Sequence, residues 1–115
     1  MAKIVLVFAL ALGGLLFGTA GAVEDTTAPV ISGVAAVNIT GPGAQIQWTT
    51  DDSSDSRVAY GTSSGNYISV ADSRCDAGGN VTSHCVNLMN LSASTVYYYK
   101  VESMNAANLP SHSSE

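Results

Sequence analysis

The sequence predicts an all-β protein with the architecture of an antiparallel β-sandwich. Short segments in which apolar and polar residues alternate recur along the chain, and turn-forming residues separate them at intervals of about 8–12 residues. In addition, no window after Ala22 has the apolar spacing of a helix. The length of 115 residues allows one domain at most.

The first 22 residues have the order of a secretory signal peptide. Lys3 gives a weakly basic start, Ile4 to Phe17 is a nearly continuous apolar run, and small residues then lead to an A-x-A pattern that ends at Ala22. We predict cleavage after Ala22. The alternative is a retained membrane anchor, because Ile4 to Val23 is about long enough to cross a bilayer at ~1.5 Å per residue. Either way, the remainder is placed outside the cytoplasm.

A short polar linker at residues 23–28 leads into the sandwich domain, which we predict at residues 29–115. Six strands are expected near residues 30–38, 44–50, 57–60, 67–71, 84–89 and 97–103. The second is the clearest, because Ile46 and Trp48 lie on one face and Gln47 on the other.

The remaining strands follow from local patterns in the same way. Pro29 has no N–H group and therefore suits the start of an edge strand. Val58 and Tyr60 point inward on the third strand, and a turn rich in Gly and Ser precedes the fourth. His84 and Leu88 share a face of the fifth, and the sixth begins with consecutive tyrosines that alternate into apolar positions.

A seventh strand is expected after residues 108–110, but the sequence that follows, ending at Glu115, has no strand pattern. We therefore predict a sandwich whose last strand is missing. Such a sheet has an unpaired edge. The chain is then a fragment, or a partner completes the sheet, or the edge is left short.

Cys75 and Cys85 are the only two cysteines, and export into an oxidising space makes a disulfide between them the default expectation. The loop that it closes is small. The chain-entropy estimate for such a loop is about 2–3 kcal/mol of stabilisation, which matters in a domain this small.

The charge balance excludes two classes of partner. The chain has 4 basic and 9 acidic residues, and the basic ones are scattered. Nucleic-acid binding needs clustered Lys and Arg that replace counterions, and a basic membrane-surface patch needs the same. We therefore expect neither nucleic-acid binding nor membrane association after signal cleavage.

Four segments, in this order, resemble a fibronectin type III domain, in particular the secreted microbial type and the N-terminal domain of purple acid phosphatases. They are WTT at 48–50, SRVAYG at 56–61, HCVNLMNL at 84–91 and TVYYYKV at 95–101. The resemblance covers roughly residues 28–111 and implies an immunoglobulin-like sandwich. Trp48 and Tyr60 would be core residues, and the spacing from Leu91 to Tyr97 fits the tyrosine corner of such folds.

The chain departs from this family in three respects. The final strand is absent, and Ser94 stands where proline or glycine is common before the corner. The Cys75–Cys85 pair is not a general feature of the family. In this fold it would tie the segment near Arg74 to the strand that carries Val86, and so staple a crossover between the two sheets.

No metal site is predicted. Cys75, His84 and Cys85 could supply zinc ligands, but adjacent strand residues point to opposite faces and cannot easily share one ion. A disulfide beside a buried histidine that hydrogen-bonds to backbone or a hydroxyl is the favoured interpretation.

Asp51, Asp52 and Asp55 offer the oxygen ligands that calcium prefers. Their spacing lacks the glycine and the terminal glutamate of a calcium loop, so a solvated loop is favoured. No catalytic residue and no cofactor-binding residue is identified. The resemblance places phosphatase chemistry, with its Asp, Asn and His metal ligands, on a separate catalytic domain.

The sequence thus predicts a secreted or cell-surface module with a structural, adhesion or accessory-binding role and no catalysis; a periplasmic location remains open. Its partner would be another protein or a surface polymer, bound through a sheet edge. One alternative is a subunit of an extracellular filament or oligomer completed by β-strand donation. The other is the N-terminal fragment of a larger exported enzyme.

Overall fold

Ten β-strands and no helix occur in residues 4–9 and 19–115, which are the residues that this computed structural model describes, with side chains described from Asp25 onward. The strands are β1 (Ile4–Ala9), β2 (Thr19–Asp25), β3 (Ile31–Thr40), β4 (Gly43–Ser54), β5 (Arg57–Gly61), β6 (Ser69–Ala71), β7 (Ser73–Arg74), β8 (Val81–Leu88), β9 (Tyr98–Met104) and β10 (Pro110–His112). The prediction of an all-β chain is confirmed.

Strands β3 to β10 form two four-stranded antiparallel sheets. The first has the order β3-β4-β8-β7 and the second the order β10-β9-β5-β6. The chain crosses between the sheets after β4, after β6 and after β8. This arrangement is a β-sandwich of the immunoglobulin and fibronectin type III kind, as predicted.

The hydrophobic core lies between the two sheets, because the period of two places one face of each strand inward. Its fully buried members are Ile46, Trp48, Val58, Val86, Leu88 and Val101. Tyr60 and Leu91 are partly buried and pack against this cluster. Each buried aliphatic side chain stabilises the fold by about 1.5–3 kcal/mol. The indole N–H of Trp48 donates to the hydroxyl of Ser103 across the two sheets at 2.8 Å, so its one polar atom is satisfied.

The prediction that the last strand is missing is corrected by β10. Pro110, Ser111 and His112 pair with β9, and Ser113 N–H donates to the carbonyl of Val101 at 3.0 Å. The sequence hid this strand because its polar residues do not alternate with apolar ones. Its entry is set instead by Asn105, whose side-chain oxygen accepts two backbone N–H groups of the preceding turn.

The segment between the predicted strands 44–50 and 57–60 is mostly strand. β4 continues to Ser54, and its inward positions there are Thr50 at 6% and Ser54 at 0% exposure. A polar sequence extends this strand because hydroxyl partners are available inside the sandwich, as described below.

Strands β1 and β2 pair antiparallel with a register shift between Leu6 and Phe8. They lie in the segment predicted to be a signal peptide, of which residues 1–3 and 10–18 are outside the described residues. Signal cleavage and the limits 1–22, 23–28 and 29–115 therefore stay predictions. No helix in the described part of the chain is long and apolar enough to cross a membrane.

Candidate functional site

The disulfide predicted between Cys75 and Cys85 is present and holds β7 against β8. The two Cα atoms are 4.9 Å apart, and Cys75 N–H donates to the Cys85 carbonyl at 2.9 Å. Both strands belong to the first sheet, so the disulfide does not itself bridge the sheets. The chain arrives from the second sheet between β6 and β7, at Asp72, and the disulfide fixes the end of that crossover.

His84 is buried directly beside this disulfide. It faces inward with Val86 and Leu88, is 2% exposed, and stacks on Trp48 with ring centroids 4.9 Å apart and planes 6° from parallel. The stack follows from the strand register, in which Trp48 of β4 lies directly opposite His84 of β8. A buried polar ring in this position needs hydrogen-bond partners.

Hydroxyl groups meet both ring nitrogens of His84. Nδ1 lies 2.7 Å from Ser56 Oγ, and Nε2 lies 2.8 Å from Thr50 Oγ1 and 3.4 Å from Ser54 Oγ. The prediction that a buried His84 binds a hydroxyl is thus confirmed. Its partners come from the end of β4 and the turn into β5, a segment that the sequence presented only as polar.

Asp76 ends this chain of hydrogen bonds. Its side chain is 4% exposed and accepts from Ser56 Oγ at 2.6 Å, Arg74 Nε at 2.9 Å, Gly78 N–H at 3.0 Å and Cys85 N–H at 3.1 Å. Burial raises the pKa of Asp76, but these hydrogen bonds outweigh it and lower the pKa to about 2. Asp76 is therefore a buried carboxylate that stays ionised.

The pKa of His84 is lowered from its ordinary value, chiefly because burial disfavours the charged ring. The charge of Asp76 opposes this effect, Arg74 adds to it, and Asp55 again opposes it. Neutral pH thus favours a neutral imidazole at this position.

The grouping of Ser56, His84 and Asp76 is not a catalytic triad. In a triad the histidine lies between the serine and the carboxylate. Here Ser56 lies between His84 and Asp76, and it is 4% exposed, which leaves no room for a substrate at its hydroxyl. The arrangement can store charge and order the disulfide loop, and it offers no accessible nucleophile.

Asp51, Asp52 and Asp55 bind three separate partners. Asp51 accepts from Val30 N–H at 2.8 Å, Asp52 from the side-chain amide of Asn105 at 3.0 Å, and Asp55 from Met104 N–H at 2.8 Å. The expected solvated loop is therefore a set of ties between β4 and its neighbours. In the part of the chain that the structure describes, no three His, Cys, Asp or Glu residues are placed to hold a metal ion.

The tyrosine corner is formed as the spacing predicts. Ser92 N–H donates to the hydroxyl of Tyr97 at 2.8 Å, and the ring of Tyr97 lies 6.2 Å from that of Tyr60. Ser94 adopts a positive φ of 53°. Glycine adopts this conformation most easily, which accounts for the frequency of glycine at this position in such folds.

These features define an immunoglobulin-like sandwich with a buried polar cluster beside a disulfide, in which Arg74 Nη2 is left without a hydrogen-bond partner among the described residues. Residues 34–115 match the family described as "Purple acid Phosphatase, N-terminal domain", and the chain belongs to that family. The resemblance to this phosphatase domain is thus confirmed, while the wider one to secreted microbial fibronectin type III domains stays a prediction. Comparisons with curated proteins and with solved structures gave no significant match.

Proposed function

We propose that this chain is a noncatalytic accessory domain of an exported enzyme whose catalytic part is a separate domain. The observation that carries the proposal is the family match over residues 34–115, because the family is named as the N-terminal domain of an enzyme. Of the roles expected from the sequence, this match favours the N-terminal part of a larger enzyme over free-standing adhesion.

The polar side chains support a noncatalytic role. The carboxylate of Asp76 accepts hydrogen bonds from donors inside the domain, and the carboxylates of Asp52 and Asp55 do the same. Hydrolysis by a metal phosphatase needs carboxylates and imidazoles that converge on an open site. The carboxylates here act as structural ties.

Export is supported by the disulfide between Cys75 and Cys85. Disulfides form and persist in oxidising compartments, and they are rare in cytosolic proteins. Together with the predicted signal peptide, this favours a secreted or otherwise extracytoplasmic location.

The outer face of the second sheet offers a surface for an accessory role. Val70 on the edge strand β6 is 60% exposed and lies opposite Ala59, while Tyr98 of β9 is 36% exposed and lies opposite Gly61. Ile68, two residues before Val70 and just outside β6, is 78% exposed. Exposed apolar side chains next to one another are typical of surfaces that bind another protein or domain.

The proposal is tested by isolating the native protein from its source with an antibody against this domain and mapping it by peptide mass spectrometry. We expect peptides that continue beyond Glu115 into a region with metallophosphatase ligands. An exported native product with the mass of residues 23–115 would overturn the proposal. A second measurement is hydrolysis of 4-nitrophenyl phosphate by the isolated domain with added Fe³⁺, Zn²⁺ or Mn²⁺, where we expect no activity above buffer.

A second candidate function rests on the edge strand β10. It pairs with only Glu102, Ser103 and Met104 of the seven-residue strand β9. Within the described residues, Tyr98–Lys100 of β9 therefore pair with a strand on one side only, which is β5. An extended segment of another chain could pair there by β-augmentation. Sedimentation at high concentration separates the candidates, because strand exchange predicts concentration-dependent association and a strictly monomeric domain excludes it.

A further inference from the structure

Two of the three hydroxyl groups around His84 donate their hydrogens to acceptors other than its ring. Ser56 has one hydroxyl hydrogen, which it donates to Asp76 at 2.6 Å. Thr50 likewise donates its hydrogen to the carbonyl of Asp52 at 2.6 Å. Each oxygen therefore presents a lone pair to the imidazole.

Both of these oxygens can accept from the ring, so the third hydroxyl, Ser54 Oγ at 3.4 Å from Nε2, favours one tautomer: Nε2 accepts from Ser54, and Nδ1 carries the proton of a neutral ring. Nδ1–H donates to Ser56 Oγ at 2.7 Å, so Nε2 is bare and faces the oxygen of Thr50 at 2.8 Å. Only Ser54, at 3.4 Å, has a hydroxyl hydrogen to offer to Nε2. Nε2 therefore accepts only a long hydrogen bond, and its nearest neighbour, the oxygen of Thr50, is an acceptor that suits an N–H group at this position.

A second proton at Nε2 would complete the chain. The new N–H would donate to Thr50, which already donates to Asp52, while Nδ1–H donates through Ser56 to the ionised Asp76. The charged ring would lie flat against Trp48, a favourable cation–π position. An open cleft of about 720 Å³, whose lining includes His84, Asp76 and both cysteines, lies beside this chain of hydrogen bonds.

We propose that His84 is the proton-binding residue of an acid-sensitive switch, in which the hydrogen-bonded chain Thr50–His84–Ser56–Asp76 takes up one proton from solvent at Nε2 while the sandwich stays folded. The proton adds one positive charge to the core, and Asp76 is its counter-charge. The other charged groups that act on the ring are Arg74, which disfavours the proton, and Asp55, which favours it.

The switch has a defined output at the N-terminal side of the sandwich. Thr50 donates to the backbone carbonyl of Asp52, and the carboxylate of Asp52 accepts from the side-chain amide of Asn105 at 3.0 Å. The same amide nitrogen donates to Asp25 at 2.8 Å and to the Thr27 carbonyl at 3.0 Å. The charge on His84 is therefore linked through Asp52 to the contact that holds residues 25–27 on the sandwich.

Trp48 reports the protonation directly because it is the only tryptophan and a stacked imidazolium quenches indole fluorescence. We expect the fluorescence of the oxidised protein to fall in a single reversible step below the usual histidine value of about 6.5. The far-UV circular dichroism should stay constant over the step. His84→Phe should abolish it, and His112→Gln, which changes the other, half-exposed histidine, should retain it.

Two charge variants distinguish the switch from a merely structural cluster. Asp76→Asn should move the midpoint to lower pH because the counter-charge is lost, and Arg74→Gln should move it to higher pH because a like charge is lost. Ser56→Ala, which removes the link between His84 and Asp76 with the smallest change in volume, should also lower it. The side-chain amide signal of Asn105 in NMR spectra should titrate with the same midpoint.

Four outcomes would overturn the proposal. One is the absence of the fluorescence step at every pH at which the protein is folded, and another is a step that survives His84→Phe. The Asp76→Asn and Arg74→Gln variants could shift the midpoint in the same direction or leave it unchanged. The last is a fluorescence step without a matching change at Asn105, which would show that protonation of His84 does not reach the contact with residues 25–27.

Discussion

Replacing Asp76 by asparagine tests the structural account of the disulfide loop most directly. The carboxylate accepts four hydrogen bonds, from Ser56, Arg74, Gly78 and Cys85, and is 4% exposed. Asparagine keeps one acceptor oxygen, but its NH₂ group is itself a donor. That group would face N–H and O–H donors and could not accept their hydrogen bonds. Asp76→Asn should therefore destabilise the domain at neutral pH.

The magnitude follows from the pKa of Asp76. The folded protein lowers this pKa from 3.8 to about 2, a change worth about 2 kcal/mol at ~1.4 kcal/mol per pKa unit. Because the unfolded chain binds the proton first as the pH falls, the stabilisation is complete above the unfolded pKa of 3.8 and is lost as the pH falls to about 2. The pKa of His84 is also lowered, so its contribution is lost on acidification too, but from about 6.5 downward.

The assay is urea unfolding of the oxidised protein at a series of pH values from 7 to 2. Wild-type protein should lose about 2 kcal/mol of its free energy of unfolding in the lower window, between pH 4 and 2, and Asp76→Asn should lack that loss while keeping one that begins near pH 6.5. Asp72→Asn, at an exposed carboxylate between β6 and β7, is the matched control and should behave as wild type. If Asp76→Asn and wild type differ by the same free energy at pH 5 and at pH 2, the assignment of Asp76 as a buried ionised group is wrong.

Three further changes have expected outcomes. Replacing both Cys75 and Cys85 by serine should lower the free energy of unfolding by about 2–3 kcal/mol, measured against reduced and oxidised wild type; equal stabilities would show that the disulfide is dispensable. Tyr97→Phe leaves Ser92 N–H without its partner and should cost about 1 kcal/mol in urea unfolding, and a cost near zero would mean that water replaces the phenol. Ser94→Gly relieves a positive φ and should raise the melting temperature, a gain of up to about 1 kcal/mol, and a lower melting temperature would contradict the assigned backbone conformation.

The sheets could be predicted from the sequence because their signal is local. Ile46 and Trp48 alternate with polar residues, and Val58 and Tyr60 do the same one connection later. Burial of one face requires this period, so the pattern carries the strand and its orientation together. The tyrosine corner was predictable for a similar reason, since Leu91 and Tyr97 are close in sequence.

The end of the sandwich could not be predicted in the same way. β10 is stabilised by Asn105, which orders the turn before it, and by Ser113, whose hydroxyl accepts from Val101 N–H at 2.9 Å. These are specific hydrogen bonds between polar residues, and they leave no period in the sequence. The extension of β4 beyond the predicted strand 44–50, as far as the buried Ser54, was missed for the same reason.

The buried polar chain shows where sequence reasoning reaches its limit. A buried His84 with a hydroxyl partner could be predicted from strand alternation, but Ser56 and Asp76 are 28 and 8 residues away from it along the chain. Only the antiparallel pairing of β7 with β8 brings Asp76 back beside His84.

The position of the disulfide connects this pairing to the chemistry of the site. Asp76 directly follows Cys75 and His84 directly precedes Cys85, so two members of the hydrogen-bond chain are the immediate neighbours of the two cysteines. Loop entropy alone would be served by a disulfide at other pairs of facing positions in β7 and β8. This pair also fixes Cys85 N–H on the carboxylate of Asp76, at 3.1 Å. Its reduction would therefore release the loop and also the hydrogen-bond partners that keep Asp76 ionised inside the protein. The disulfide thus both stabilises the fold and holds a buried charge in place.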